Sequence, residues 1–155
     1  MNEHPISARA EMLIRRPVAE VFEAFVDPAR TAQFWFTSGD ARLEPSKRVR
    51  WTWAMYDFCA QVDVKVVEDH RRIVVEWSAD DAPTTIEWLF TPRADGTTFV
   101  SITTSGFRGD DDEIAEQAIA STEGFAFVLA GLKALLEHDV RLNLVHDRFP
   151  DRIAA

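Results

Sequence analysis

Between Val49 and Thr104 the chain alternates apolar and polar residues in run after run, most of them separated by only a few turn-forming residues. A strand points successive side chains to opposite faces, so a period of two gives each run one face to bury and one to expose. Val49, Trp51, Trp53 and Met55 share one parity against Arg50, Thr52 and Ala54, and Phe58, Ala60, Val62, Val64 and Val66 share a face opposite Gln61, Asp63 and Lys65. Ile73, Val75 and Trp77 follow, then Ile86, Trp88 and Phe90, then Val100, Ile102 and Thr104. The links Glu68-Asp69-His70 and Pro92 to Gly96 are too short for a crossover, so these neighbours run antiparallel. A sheet with one apolar face needs a cover.

The C-terminal third supplies it. Ser121-Thr122-Glu123-Gly124 is expected to open a long helix in which Phe125, Val128, Leu129, Leu132, Leu135, Leu136 and Val140 form an apolar stripe, with Lys133, Glu137 and Arg141 turned away. Ahead of the alternating region, Ala8 to Arg15 reads as a first strand. Val18, Val21, Phe22 and Phe25 then recur at helical spacing behind Pro17, which suits a first helical turn. Asp27-Pro28 repeats the start signal, with the aspartate as cap, and predicts a second short helix from Ala29 to about Phe34. The acidic stretch Gly109 to Glu113 reads as a solvated helix N-terminus in preference to a metal site. One strand, two short helices, about five strands and a long helix give an α+β fold of the helix-grip type, a curved antiparallel sheet wrapped around the C-terminal helix. It is expected to be a single domain over residues 1–155, loose only at 150–155.

With 155 residues the chain suits one core, and its net charge of −9 repels phosphate backbones and anionic lipid surfaces, so nucleic acid is not an expected partner. A single cysteine, Cys59, cannot form an internal disulfide and fits a reducing compartment. No leader-like opening and no run of about eighteen apolar residues is present, so the expectation is a cytoplasmic protein without membrane insertion.

Reactive constellations are missing from the sequence. His4, His70, His138 and His146 are scattered without metal-ligand spacing, and His138 suits a helix C-terminus as a cation. Cys59 has no basic neighbour to activate it. Asp63, Glu76 and Glu87 fall on the outward parity, where pairing with Arg50, Lys65 or Arg72 accounts for them, and no carboxyl is expected in the interior for acid or base work. Tyr56 and Asp57 are possible polar anchors. Without a Gly-rich phosphate loop or a Ser-centred elbow, no cofactor is expected.

Four segments carry a family resemblance: Arg16-Pro-Val-Ala-Glu-Val-Phe-Glu-Ala-Phe, Asp27-Pro28 to Phe34-Trp35, Arg72-Ile-Val-Val-Glu-Trp-Ser78, and Gly124-Phe to Leu132-Lys-Ala-Leu-Leu-Glu137. The chain thereby resembles the START-related SRPBCC superfamily, and within it the branch named for the activator of the heat-shock-90 ATPase. That resemblance implies a helix-grip domain with an elongated internal pocket, in a superfamily whose members bind lipids, hormones or polyketides and occasionally process them. Val49 to Ala60 contains no glycine, whereas members of the branch often have a glycine-rich second strand, so the pocket wall here is bulkier. The expected pocket is lined by Trp35, Trp51, Trp53, Trp77, Trp88, Phe90, Phe125 and Leu129, and takes a small hydrophobic molecule without catalysis. The alternatives are a polyketide cyclase or aromatase-like enzyme, or a chaperone-associated domain. A chaperone is the less expected partner, because a separate docking domain would be needed; a homodimer is possible.

Overall fold

The computed structural model of the protein describes residues 6–78 and 83–152. His4, and the last three residues of the tail expected to be loose, lie outside them.

Seven strands form one antiparallel sheet in the order β1-β7-β6-β5-β4-β3-β2. They are β1 (Ala8–Ile14), β2 (Ser38–Gly39), β3 (Arg48–Trp53), β4 (Phe58–Glu68), β5 (Arg72–Ser78), β6 (Thr84–Pro92) and β7 (Thr98–Ser105). Helices α1 (Val18–Val26) and α2 (Pro28–Thr31) follow β1. The long α3 (Asp111–His138) and the short α4 (Leu144–Asp147) follow β7. This is the helix-grip architecture.

Parity works as the alternation requires: Val49, Trp51, Trp53, Ala60, Val62, Val64, Ile73, Val75, Ile86, Trp88, Phe90, Val100 and Ile102 are all buried. Two inward expectations are corrected. The register between β4 and β5 shifts between Val64 and Val66, so Val66 pairs with the outward Val74 and Val67 takes the place opposite buried Ile73. The extra residue of a β-bulge reverses the parity beyond it. Phe58, also expected inward, is exposed where β4 begins. The outward carboxylates pair across strands, Asp63 with Arg48 at 2.7 Å, Glu76 with Lys65 at 3.8 Å and Glu87 with Arg72 at 2.6 Å. Arg48 takes the place expected of Arg50 because it stands directly opposite Asp63 in the register.

The corner between α1 and α2 is built locally. Asp27 accepts from the Ala29 N–H at 3.0 Å, capping α2 behind Pro28, and the buried Thr31 hydroxyl donates to the Ala24 carbonyl at 2.6 Å. The helix ends at Thr31, three residues short of the expected limit. The chain then turns to set Phe34, Trp35 and Phe36 into the core and to pair β2 with β3. A Cβ on Gly39 would stand 3.0 Å from Pro28 Cβ and 3.2 Å from Trp51 Cδ1, so this edge strand approaches the corner only because residue 39 has no side chain.

The long helix starts ten residues earlier than expected. Asp110 caps it, accepting from the Glu113 N–H while the Glu113 carboxylate accepts from the Asp110 N–H, a reciprocal capping box. The acidic stretch is thus the N-terminus of the core helix itself, and Ser121 to Gly124 lie within it. By length and composition alone α3 could cross a membrane. Here its second half buries Phe125, Val128, Leu129 and Leu132 against the sheet.

A clamp joins that half to β1. Glu137 accepts from the Arg15 N–H at 2.7 Å and from Lys133 Nζ at 2.7 Å, and Lys133 donates also to the Leu13 carbonyl at 2.8 Å. Burial pushes the Glu137 carboxyl up, but the Lys133 ammonium and the Arg15 N–H outweigh it and hold the pKa below the ordinary 4.5. A depressed carboxyl stabilises the fold fully above its unfolded value and loses that contribution as pH falls through the native one. Thermal stability is therefore expected to fall below about pH 4.5. Glu137→Ala should cost about 2–3 kcal/mol at neutral pH and flatten that acid limb.

Candidate functional site

Side-chain size decides where the helix and sheet meet and where they do not. Along the second half of α3 large residues fill the space. Along the first half, Gln117, Ala120, Ser121 and Gly124 recur at three- and four-residue spacing and face Thr104 and Thr84 on the sheet. The short side chains of Ala120 and Ser121 and the bare Gly124 opposite threonines leave a void. The result is a cavity of about 600 Å³, partly open to solvent, lined also by Phe125, Val128, Trp77, Phe107 and Phe127. Ser121 Oγ donates to Thr104 Oγ1 at 2.9 Å, joining the helix to the sheet across the cavity wall.

The aromatic residues expected to line a pocket divide into two sets. Trp35, Trp77 and Phe125 border the cavity, with ring centroids 5.5 Å apart for Trp35 and Phe125 and 6.3 Å for Trp77 and Phe125. Trp51, Trp53, Trp88, Phe90 and Leu129 are packed into the core and do not border it. Trp35 comes from the turn after α2 and stands between the sets, 4.9 Å from Trp51 and 6.0 Å from Trp77. It fills the space in front of Trp51 that strand parity alone assigns to a ligand. Phe90 is engaged instead by Phe22 and Phe25 of α1, at 5.2 and 6.0 Å. The Trp88 indole N–H is buried without an acceptor among the described residues.

The far wall is a strap running from Asp139 to Arg152. Asp139 ends α3 with φ of 54°, and Asn143 turns the chain again with φ of 56°. The strap then crosses back to the sheet. Tyr56 donates its hydroxyl to the Val145 carbonyl, with the His146 carbonyl also 2.9 Å away. Arg148 Nε and Nη2 bond the two carboxylate oxygens of Glu123 at 2.9 and 3.0 Å, and Phe149 stacks edge-on against Tyr56. Val145, Arg148, Phe149 and Arg152 all face the cavity. Tyr56, a possible anchor by its position, thus holds the strap.

One interior expectation is corrected. Glu123 borders the cavity, so its wall does contain a carboxylate, although both oxygens are taken up by Arg148. The signal for it was present in the capping box: once α3 begins at Asp111, residues 117, 120, 121 and 124 fall on one helical face with Glu123 beside them. Phe107, Phe149 and Arg152 lie outside the alternating runs, and nothing in the sequence placed them at the site. Among the described residues, no group of three or more His, Cys, Asp or Glu side chains is arranged to hold a metal.

Residues 15–137 match the family described as "Activator of Hsp90 ATPase homolog 1-like protein". The chain belongs to this family. Its fold is that of the SRPBCC superfamily, as the resemblance implied. Among solved structures, this family member is similar to protein SSP2350 from Staphylococcus saprophyticus, with 31% identity over 88% of this chain and 96% of that one and a TM-score of 0.75. It is similar in fold to DynU16, a protein in the dynemicin biosynthetic locus, with 23% identity, 87% of this chain covered and a TM-score of 0.76; the match spans 48% of DynU16. A third likeness is to Aha1 from Colwellia psychrerythraea, whose solution structure is a dimer, with 14% identity, 86% and 97% coverage and a TM-score of 0.72. No curated protein matches. A helix-grip fold of this family with a cavity between sheet and helix suits a ligand-binding domain.

Proposed function

We propose that this family member is a non-enzymatic binding protein for a small hydrophobic molecule, held between the first half of α3, the sheet and the strap. The observation that carries this reading is the cavity itself: about 600 Å³, bounded mainly by aromatic and aliphatic side chains with a smaller set of polar groups among them. Small-molecule sites are of this size and make-up, roughly 300–1,000 Å³. The pairing of both Glu123 oxygens with Arg148 favours holding over turnover, since the carboxylate at the wall is already engaged as an acceptor.

A cyclase-like reading has one observation in its favour, a carboxylate at the wall of a cavity able to fold an apolar chain. It requires Glu123 to leave Arg148. No observation favours the chaperone reading beyond the family description.

The test uses N-phenyl-1-naphthylamine, a neutral two-ring fluorophore. Expected is saturable binding with a Kd on the order of 1–100 µM. A rise in thermal midpoint with probe concentration should accompany it. Absence of both would remove the reading.

A further inference from the structure

We propose that the cavity selects amphipathic anions: molecules with an apolar, ring-bearing body and one acidic group, which Arg152 holds at the strap. The inference rests on the binding reading above and names the class of ligand. It starts from the charges that border the cavity. These are Arg148, Arg152 and Glu123, so the wall carries one positive charge in excess, in a protein whose net charge is −9.

The two arginines are not equivalent. Arg148 is committed, with Nε and Nη2 each bonded to a Glu123 oxygen. Arg152 has no carboxylate within 4.0 Å among the described residues. Its guanidinium carbon lies 4.7 Å from the centroid of Phe149, the same ring that Arg148 approaches to 4.3 Å. Both cations are solvent-exposed and share the same ring. The aromatic face attracts each of them but neutralises neither, and Glu123 answers only one. An acidic group arriving from the cavity would complete the second pair.

The geometry suits a ligand with two ends. Trp35, Trp77 and Phe125 form one apolar ring cluster in the wall, with centroids 5.5 to 6.3 Å apart, and the exposed Arg152 stands on the 3-10 turn Pro150–Arg152 of the strap. A planar fork of N–H donors matches a carboxylate or sulfonate bidentately. Because the protein as a whole repels anions, the selection acts through this local contact and not through long-range steering, so it weakens as salt screens the pair.

Two probes that differ only in the acidic group test this: 8-anilinonaphthalene-1-sulfonate and N-phenyl-1-naphthylamine, titrated into wild-type protein, Arg152→Gln and Arg152→Lys. Wild-type protein should bind the sulfonate about tenfold more tightly than the neutral probe. Arg152→Gln should remove about that factor for the sulfonate and leave the neutral probe within about twofold, while Arg152→Lys, which keeps the charge but loses the fork, should retain only part of the preference. Equal affinity of the two probes for wild-type protein would overturn the anion selection and leave the apolar cavity standing. A preference for the sulfonate that survives Arg152→Gln would overturn the role of Arg152. Failure of both probes to bind would overturn the binding reading together with this one.

Discussion

Trp51→Ala is expected to cost about 3–5 kcal/mol of stability, because it removes a fully buried indole from a core that cannot close over the gap. Trp51 is 2% exposed and meets Trp35, Phe36, Trp53 and Trp77 with ring centroids between 4.9 and 6.5 Å. The backbone of Gly39 packs over it as well, close enough that a Cβ there would lie 3.2 Å from its Cδ1. In a domain of this size the loss should lower the thermal midpoint on the order of 10 °C, measured by circular dichroism or calorimetry. Trp77→Ala, at the cavity wall and only partly buried, should cost less stability and more probe affinity. A stable Trp51→Ala protein that had lost the probe would move the site to the other side of Trp35.

Gly124→Leu is expected to reduce probe binding by at least about tenfold while raising stability by about 1 kcal/mol. Gly124 lies within α3 and borders the cavity, and a Cβ built there meets no atom within 4 Å. A leucine therefore enters open space. Glycine inside a helix is disfavoured by about 0.8–1 kcal/mol relative to alanine, so the change stabilises α3 as it fills the void. The opposite signs matter, because a variant that merely misfolded would lose binding and stability together. Parallel probe titration and thermal denaturation read both. Unchanged probe affinity in a stabilised variant would place the ligand elsewhere.

The alternation between Val49 and Thr104 announced the sheet, its antiparallel order and nearly every buried strand residue, because burial of one face imposes a period of two on any sequence that folds this way. It failed at Val66, where a bulge adds a residue without any sequence signal of its own. The start of α3 was legible in Asp110 and Glu113. It was masked by the second apparent start at Ser121 to Gly124 and by small residues that give no apolar stripe where the helix roofs a cavity.

Parity also identifies a face without its depth. Trp51 and Trp77 share the concave side, yet Trp35 arrives from the α2 turn to cover the first and leave the second at the cavity. That division is a tertiary fact. The strap residues Arg148, Phe149 and Arg152 reach the site only because Asp139 and Asn143 turn the chain back, at two left-handed positions that the local residue pattern does not require.

The five tryptophans allow the account to be tested side chain by side chain. Each indole N–H gives its own signal in a proton–nitrogen correlation spectrum, and N-phenyl-1-naphthylamine can be titrated against all five at once. The expected result is progressive, saturable shifts at Trp35 and Trp77, with smaller changes at Trp51, Trp53 and Trp88 behind them. Shifts largest at Trp51 or Trp88, with Trp35 and Trp77 unmoved, would contradict a ligand site between α3, the sheet and the strap.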